Sequence, residues 1–125
     1  MQILISISLL GAAIIHFMPL AGILGESRLK KLYGLEFDDP NLLILMQHRA
    51  VLFGILGSFL IVAIFKEEYR YLAITLTLIS AISFAVIALL RGGYNSQIKS
   101  VVIADIIAIV FLILALFSIN LSSAI

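Results

Sequence analysis

Cysteine is absent from the 125-residue chain, proline occurs only twice, and charged residues make up just 12% of it. Without cysteine there is no disulfide, no thiolate ligand and no CxxC redox pair. So little charge set against 63% hydrophobic residues excludes a disordered tail, and a soluble domain carries about twice as much charge. Charge of either sign is scarce. Eight Lys and Arg face seven Asp and Glu for a net +1, which leaves no electrostatic footprint for nucleic acid. P-loop, GxGxxG, GxSxG and HExxH patterns are missing as well. At this length the chain is a single domain, residues 1–125.

What the sequence does contain is four long apolar runs, at about 3–18 (or 3–24 through a bend at Pro19), 42–65, 71–90 and 98–121. Crossing about 30 Å of hydrocarbon takes roughly 20 helical residues. None of the runs alternates as a barrel strand must. The expected fold is an all-α integral membrane protein, an antiparallel bundle of four transmembrane helices. The first run lacks the positive n-region of a signal peptide and reads as a retained helix.

The connections are unequal. Between the first two spans, Leu29, Leu32 and Tyr33 lie at helical spacing opposite Arg28, Lys30 and Lys31, which predicts a short interfacial helix stopped by Gly34. Asp39-Pro40 reads as an N-cap followed by proline at the first helical position. Ser96 is the expected cap of the last span. Asn120-Leu121-Ser122 matches a glycosylation acceptor by pattern alone.

Antiparallel spans collect the unusual polar residues at one end: His16, Glu26, Arg28, Tyr33, Asn41, Gln47, His48, Arg49, Arg91, Tyr94, Asn95 and Asp105. The other end is expected to hold only the termini and the charged turn 66–70. At about 1.5 Å per residue, His48, Arg49 and Asp105 lie roughly 10 to 13 Å inside their spans. There a charge costs at least about 2.5 to 3.5 kcal/mol. The expectation is therefore that Asp105 pairs with Arg49, His48 or both, and that His16 and Arg91 close the group. Small-residue stripes at Ser8, Ala12 and His16, at Ala50, Gly54 and Ser58, at Thr77, Ser80 and Ala88, and at Ala104 and Ala108 mark the packing faces.

These residues predict a ligand pocket of His16, His48, Arg49, Arg91, Tyr94 and Asp105, with Arg28, Tyr33, Asn41, Gln47 and Asn95 at its rim. Binding or translocation of a small polar or anionic-headed molecule is the leading reading, with Arg49 or Arg91 holding the anion. A membrane enzyme acting on a lipid or quinone, with His48 beside Asp105 as the acid-base pair, is a second reading. A purely structural ion network in an accessory or assembly subunit is a third. His16, His48 and Asp105 are too few to complete a zinc site, and two histidines barely serve a haem, so neither metal nor cofactor is expected. The bilayer is the expected surrounding partner, and a homo-oligomer is compatible with the pattern. Counting basic residues near the span ends places the polar end in the cytoplasm.

Together, His16-Phe17-Met18-Pro19-Leu20, Leu32-Tyr33-Gly34, Asp39-Pro40-Asn41-Leu42, the run from Met46 to Gly54, Arg91-Gly92-Gly93-Tyr94-Asn95 and Ala104-Asp105 resemble a group of small bacterial four-helix membrane proteins. The resemblance covers nearly the whole chain and is most specific around His48-Arg49. It implies an inner-membrane four-helix fold. Many of that group carry the label phosphopantetheine adenylyltransferase, an activity not expected here. Those enzymes are soluble nucleotide-binding α/β proteins with a His-x-Gly-His motif, and this sequence has neither the motif nor the strands. The group has no established activity, so no functional residue carries over. Likeness in size and helix count to DoxX-like proteins and small multidrug transporters is analogy of fold only. The transporters place a glutamate in their first helix, whereas this first span has His16 and no carboxylate.

Overall fold

The computed structural model describes residues 1–124, which fold into five α-helices and two 3₁₀ segments with no strand among the described residues. The helices are α1 (Gln2–Phe17), α2 (Glu26–Tyr33), α3 (Pro40–Phe65), α4 (Arg70–Arg91) and α5 (Ser96–Ala124). Four segments are long and apolar enough to cross a membrane: Gln2–Leu24, Pro40–Phe65, Glu67–Arg91 and Ser96–Ala124. The chain is thus a multi-pass membrane protein.

Local chemistry sets the boundaries. Proline has no N–H to give to the preceding turn, so at Pro19 the first span tightens from α-helix into a 3₁₀ segment, Met18–Leu24. The carbonyl of Ile23 near its end accepts from Gln47 Nε2 at 3.0 Å. Gly34 ends α2 in the left-handed conformation, φ 69°, and its N–H donates to Lys30 O. The Asp39 side chain accepts from Asn41 N at 2.9 Å with Pro40 in the first turn, so α3 begins as the sequence suggests. The cap of α5 differs from expectation. Asn95 Oδ1 accepts from Ile98 N at 2.8 Å, while Ser96 Oγ turns to Gln97 Oε1. Asn95 Nδ2 also donates to Tyr33 O at 2.9 Å, so one side chain caps α5 and ties it to the end of α2. A serine one residue later has no second arm for that tie.

α1 and α4 each pack against both α3 and α5, so α3 and α5 face one another across the bundle instead of lying side by side. Ile5, Leu9, Leu60, Ile74 and Leu112 fill its core with alanines between them. Close approach is bought by glycine: a Cβ on Gly57 would lie 3.1 Å from the Phe17 ring. The small face of α3 therefore runs Ala50, Gly54, Gly57, and Ser58 is exposed. Large aliphatic residues such as Ile3, Ile14, Leu45, Ile55 and Ile79 cover the outside.

α2 is amphipathic as expected, but its apolar face is covered by protein. Leu29 and Tyr33 are buried with Phe37 against Leu43, Met46, Ile98 and Val101. On its exposed side Lys30 Nζ lies 2.7 Å from Glu36 Oε1, and that hydrogen bond and charge hold the Lys30 ammonium above the ordinary lysine range.

Polar residues are not confined to one end. At the start of α4, Arg70 is 5% exposed and donates from Nε to Ala63 O, from Nη2 to Ile64 O and from Nη1 to Gln2 Oε1, at 2.9 to 3.0 Å. Nearby, Tyr71 OH donates to Asn120 Oδ1 at 2.6 Å. The charged turn 66–70 is in part a buried knot. It satisfies backbone carbonyls that α3 leaves open where it ends.

Candidate functional site

Three buried side-chain atoms have no hydrogen-bond partner among the described residues: His16 Nε2, Arg49 Nη2 and Asp105 Oδ2. Each belongs to a different helix, α1, α3 and α5. Leaving such an atom unpaired costs about 1 to 3 kcal/mol, and more when it is charged.

His16 sits in the last turn of α1 with 1% exposure. Its Nδ1 is 2.9 Å from Ala12 O, and since a carbonyl can only accept, Nδ1 carries the proton. In the neutral ring Nε2 is therefore an acceptor. The ring centroid lies 5.9 Å from that of Phe53. Arg49, half-buried one turn before Phe53 on α3, places its guanidinium carbon 4.7 Å from the same ring centroid and 5.0 Å from that of Phe84 on α4. The two aromatic faces stabilise the cation while leaving its N–H groups without oxygen partners. Asp105 is 4% exposed on α5.

The expected ion pair does not form. Among the described residues the only ion pairs within 4.0 Å are Lys30–Glu36 and Arg70–Glu67. The reason is the diagonal placement of α3 and α5, which sets Arg49 and Asp105 on opposite walls. His48 is exposed, two residues before buried Ala50 and so nearly opposite the small face of α3. It cannot pair with Asp105. Arg91 and Tyr94 are also exposed, at the end of α4 and in the loop after it, and neither makes a side-chain hydrogen bond among the described residues. No three His, Cys, Asp or Glu side chains among the described residues converge tightly enough to hold a metal ion.

A cavity of about 430 Å³ opens beside Asp105, between the 3₁₀ segment, α2 and α5, and neither His16 nor Arg49 lines it. Ile15, Met18, Pro19, Leu32, Val101 and Ala104 supply its apolar wall. Its polar groups are Arg28, Lys31, Gln97, Ser100 and Asp105. Since Arg28 and Lys31 are exposed and Asp105 is buried, the cations stand at the mouth and the carboxylate at the deep end. A smaller cavity of about 100 Å³ reaches Arg49 from between α3 and α4, beside Phe53 and Ser80.

The sequence-expected residues thus divide. His16, Arg49 and Asp105 are turned into the bundle interior, and Arg28 lines the same cavity as Asp105. Tyr33, Gln47 and Asn95 hold the surrounding backbone, as described above, and Asn41 is exposed beside its Asp39 cap. Lys31, Gln97 and Ser100 were not expected. Lys31 could have been found, since it lies three residues from Arg28 on one helical face.

The chain matches no family model, no curated protein and no solved structure.

Proposed function

We propose that this chain is an antiparallel four-span membrane protein that binds an amphipathic molecule with an anionic head group. Arg28 and Lys31 hold the head and the apolar wall takes the chain. The cavity carries the reading: two exposed cations at its mouth, an apolar flank, and a buried polar deep end. Antiparallel order is supported by Arg70 of α4, which reaches both the start of α1 and the end of α3. On this reading α2 lies at the membrane surface, its cations level with lipid head groups. Binding is favoured over translocation because Ile5, Leu9, Leu60, Ile74 and Leu112 close the core elsewhere. The unclosed trio also weighs against a purely structural ion network, which would have paired its own charges.

Dodecyl phosphate is a suitable probe. Titrated into the detergent-purified protein, it is expected to raise the melting temperature saturably. Arg28→Gln with Lys31→Gln should weaken its affinity tenfold or more, because each removes a charge-assisted contact worth about 1.5 to 3 kcal/mol. Both side chains are exposed, so folding is undisturbed. Equal affinity in wild type and double variant would refute the site.

The proposed orientation puts the polar end in the cytoplasm. With Arg70 buried, Lys66 is the one exposed basic residue between α3 and α4, against Arg28, Lys30, Lys31, Arg91 and Lys99 at the polar end. In a bacterial inner membrane, alkaline phosphatase fused after residue 125 should be active and a green fluorescent reporter there dark. The reverse pattern would invert the topology.

A further inference from the structure

We propose that Arg49 and Ser80 form a second binding site, separate from the cavity beside Asp105, for a singly charged carboxylate carried on an aliphatic chain. The site does not depend on the binding role proposed above. Arg49 lies nine residues into α3, about 13 Å along the helix, where an uncompensated charge is costly. Asp105 is the one carboxylate within α1, α3, α4 or α5, and it makes no ion pair. A long cationic side chain at such depth ordinarily reaches for the surface. This one is clasped between Phe53 and Phe84, which stabilise the cation but supply no oxygen.

The clasp seals one part of the guanidinium and leaves another open. Arg49 Nη2 is sealed and unpartnered. Nε and Nη1 have no hydrogen bond among the described residues either, yet they are not sealed, and the space that Arg49 borders is the cavity of about 100 Å³ between α3 and α4. Neither α1 nor α5 contributes to its lining, so it lies in the outer seam between two neighbouring helices, and Leu52 beside it is 47% exposed. In a bilayer its mouth faces acyl chains. Ser80 is the only other polar residue of the lining; its carbonyl accepts from Ser83 Oγ, while its own hydroxyl is unengaged among the described residues. One fixed positive charge and one hydroxyl match a group with two acceptor oxygens and a single negative charge, so a carboxylate gives one oxygen to Arg49 and the other to Ser80. A phosphate monoester brings a second charge that nothing in the lining offsets. A cavity of this size holds about three waters, room for the carboxylate and its first methylenes, with the rest of the chain outside along Leu52.

Held by one cation at a mouth open to lipid, the occupant exchanges with the bilayer, so the test supplies it. The Arg28→Gln, Lys31→Gln background disables the cavity beside Asp105 and leaves this one intact. Decanoate titrated into that protein in an uncharged detergent is expected to raise the melting temperature saturably, whereas methyl decanoate, the same chain without the charge, is not. Adding Arg49→Gln should weaken decanoate binding tenfold or more, and Arg49→Lys, which keeps the charge, should retain part of it. Ser80→Ala, which touches no charge, should weaken it about threefold. No saturable shift by decanoate in the background, or the same affinity once Arg49→Gln is added, would overturn the site. Decyl phosphate binding the background as tightly as decanoate would overturn the carboxylate assignment. The cavity beside Asp105 is judged separately, by dodecyl phosphate in protein with Arg28 and Lys31 intact.

Discussion

Arg70→Met is expected to lower the thermal stability of the protein by about 2 to 5 kcal/mol. α3 stops at Phe65, and Lys66 N returns to Val62 O. The next two carbonyls, Ala63 and Ile64, are satisfied by Arg70 Nε and Nη2, while Nη1 reaches Gln2 on α1. Methionine keeps the bulk and the apolar stem but offers no donor, so two backbone acceptors lose their partners at once. Arg70→Lys should recover only part of the loss, because one ammonium cannot reproduce the forked geometry of a guanidinium. Thermal unfolding in detergent, followed by circular dichroism, measures both. An unchanged melting temperature in Arg70→Met would show that lipid-facing water replaces the arginine at no cost.

Asp105→Asn is expected to leave the protein at least as stable as the wild type. In a closed ion pair, removing one partner typically costs about 3 to 5 kcal/mol because the other charge is left buried and alone. Here Asp105 Oδ2 has no protein partner and Arg49 rests on Phe53 and Phe84. Replacing the carboxylate by an amide therefore breaks no ion pair and removes a buried charge. The melting temperature without ligand should stay level or rise, and the double variant with Arg49→Gln has no loss to rescue. A drop in stability of several kcal/mol, restored in the double variant, would reinstate a structural pair.

The spans were legible because nothing but length and apolarity is needed to recognise them, and local chemistry alone marks the start of α3 at Asp39-Pro40 and the end of α2 at Gly34. The interior was harder to read for physical reasons. His48 and Arg49 are neighbours in sequence but about 100° apart around a helix, so burial of one exposes the other. Which one faces inward depends on the rotation of α3, and that is set by the close contact of Gly57 with Phe17 and of Gly54 with Leu20. The choice of facing helices also lies outside local sequence, and the diagonal placement of α3 and α5 is what keeps Arg49 from Asp105. The burial of Arg70 was not legible because two of its three acceptors are backbone carbonyls, which leave no trace in side-chain identity. At α5 both Asn95 and Ser96 are competent caps, and only the contact with Tyr33 O favours the asparagine.

Native mass spectrometry of protein extracted gently from its own membranes, wild type beside Arg28→Gln with Lys31→Gln, tests the proposed binding role most directly. The wild type should retain one amphiphile of defined mass, released as an anion on activation, and the double variant should fly without it. Identical spectra for the two proteins, whether both bare or both carrying the same adduct, would contradict an anion-headed ligand held by Arg28 and Lys31.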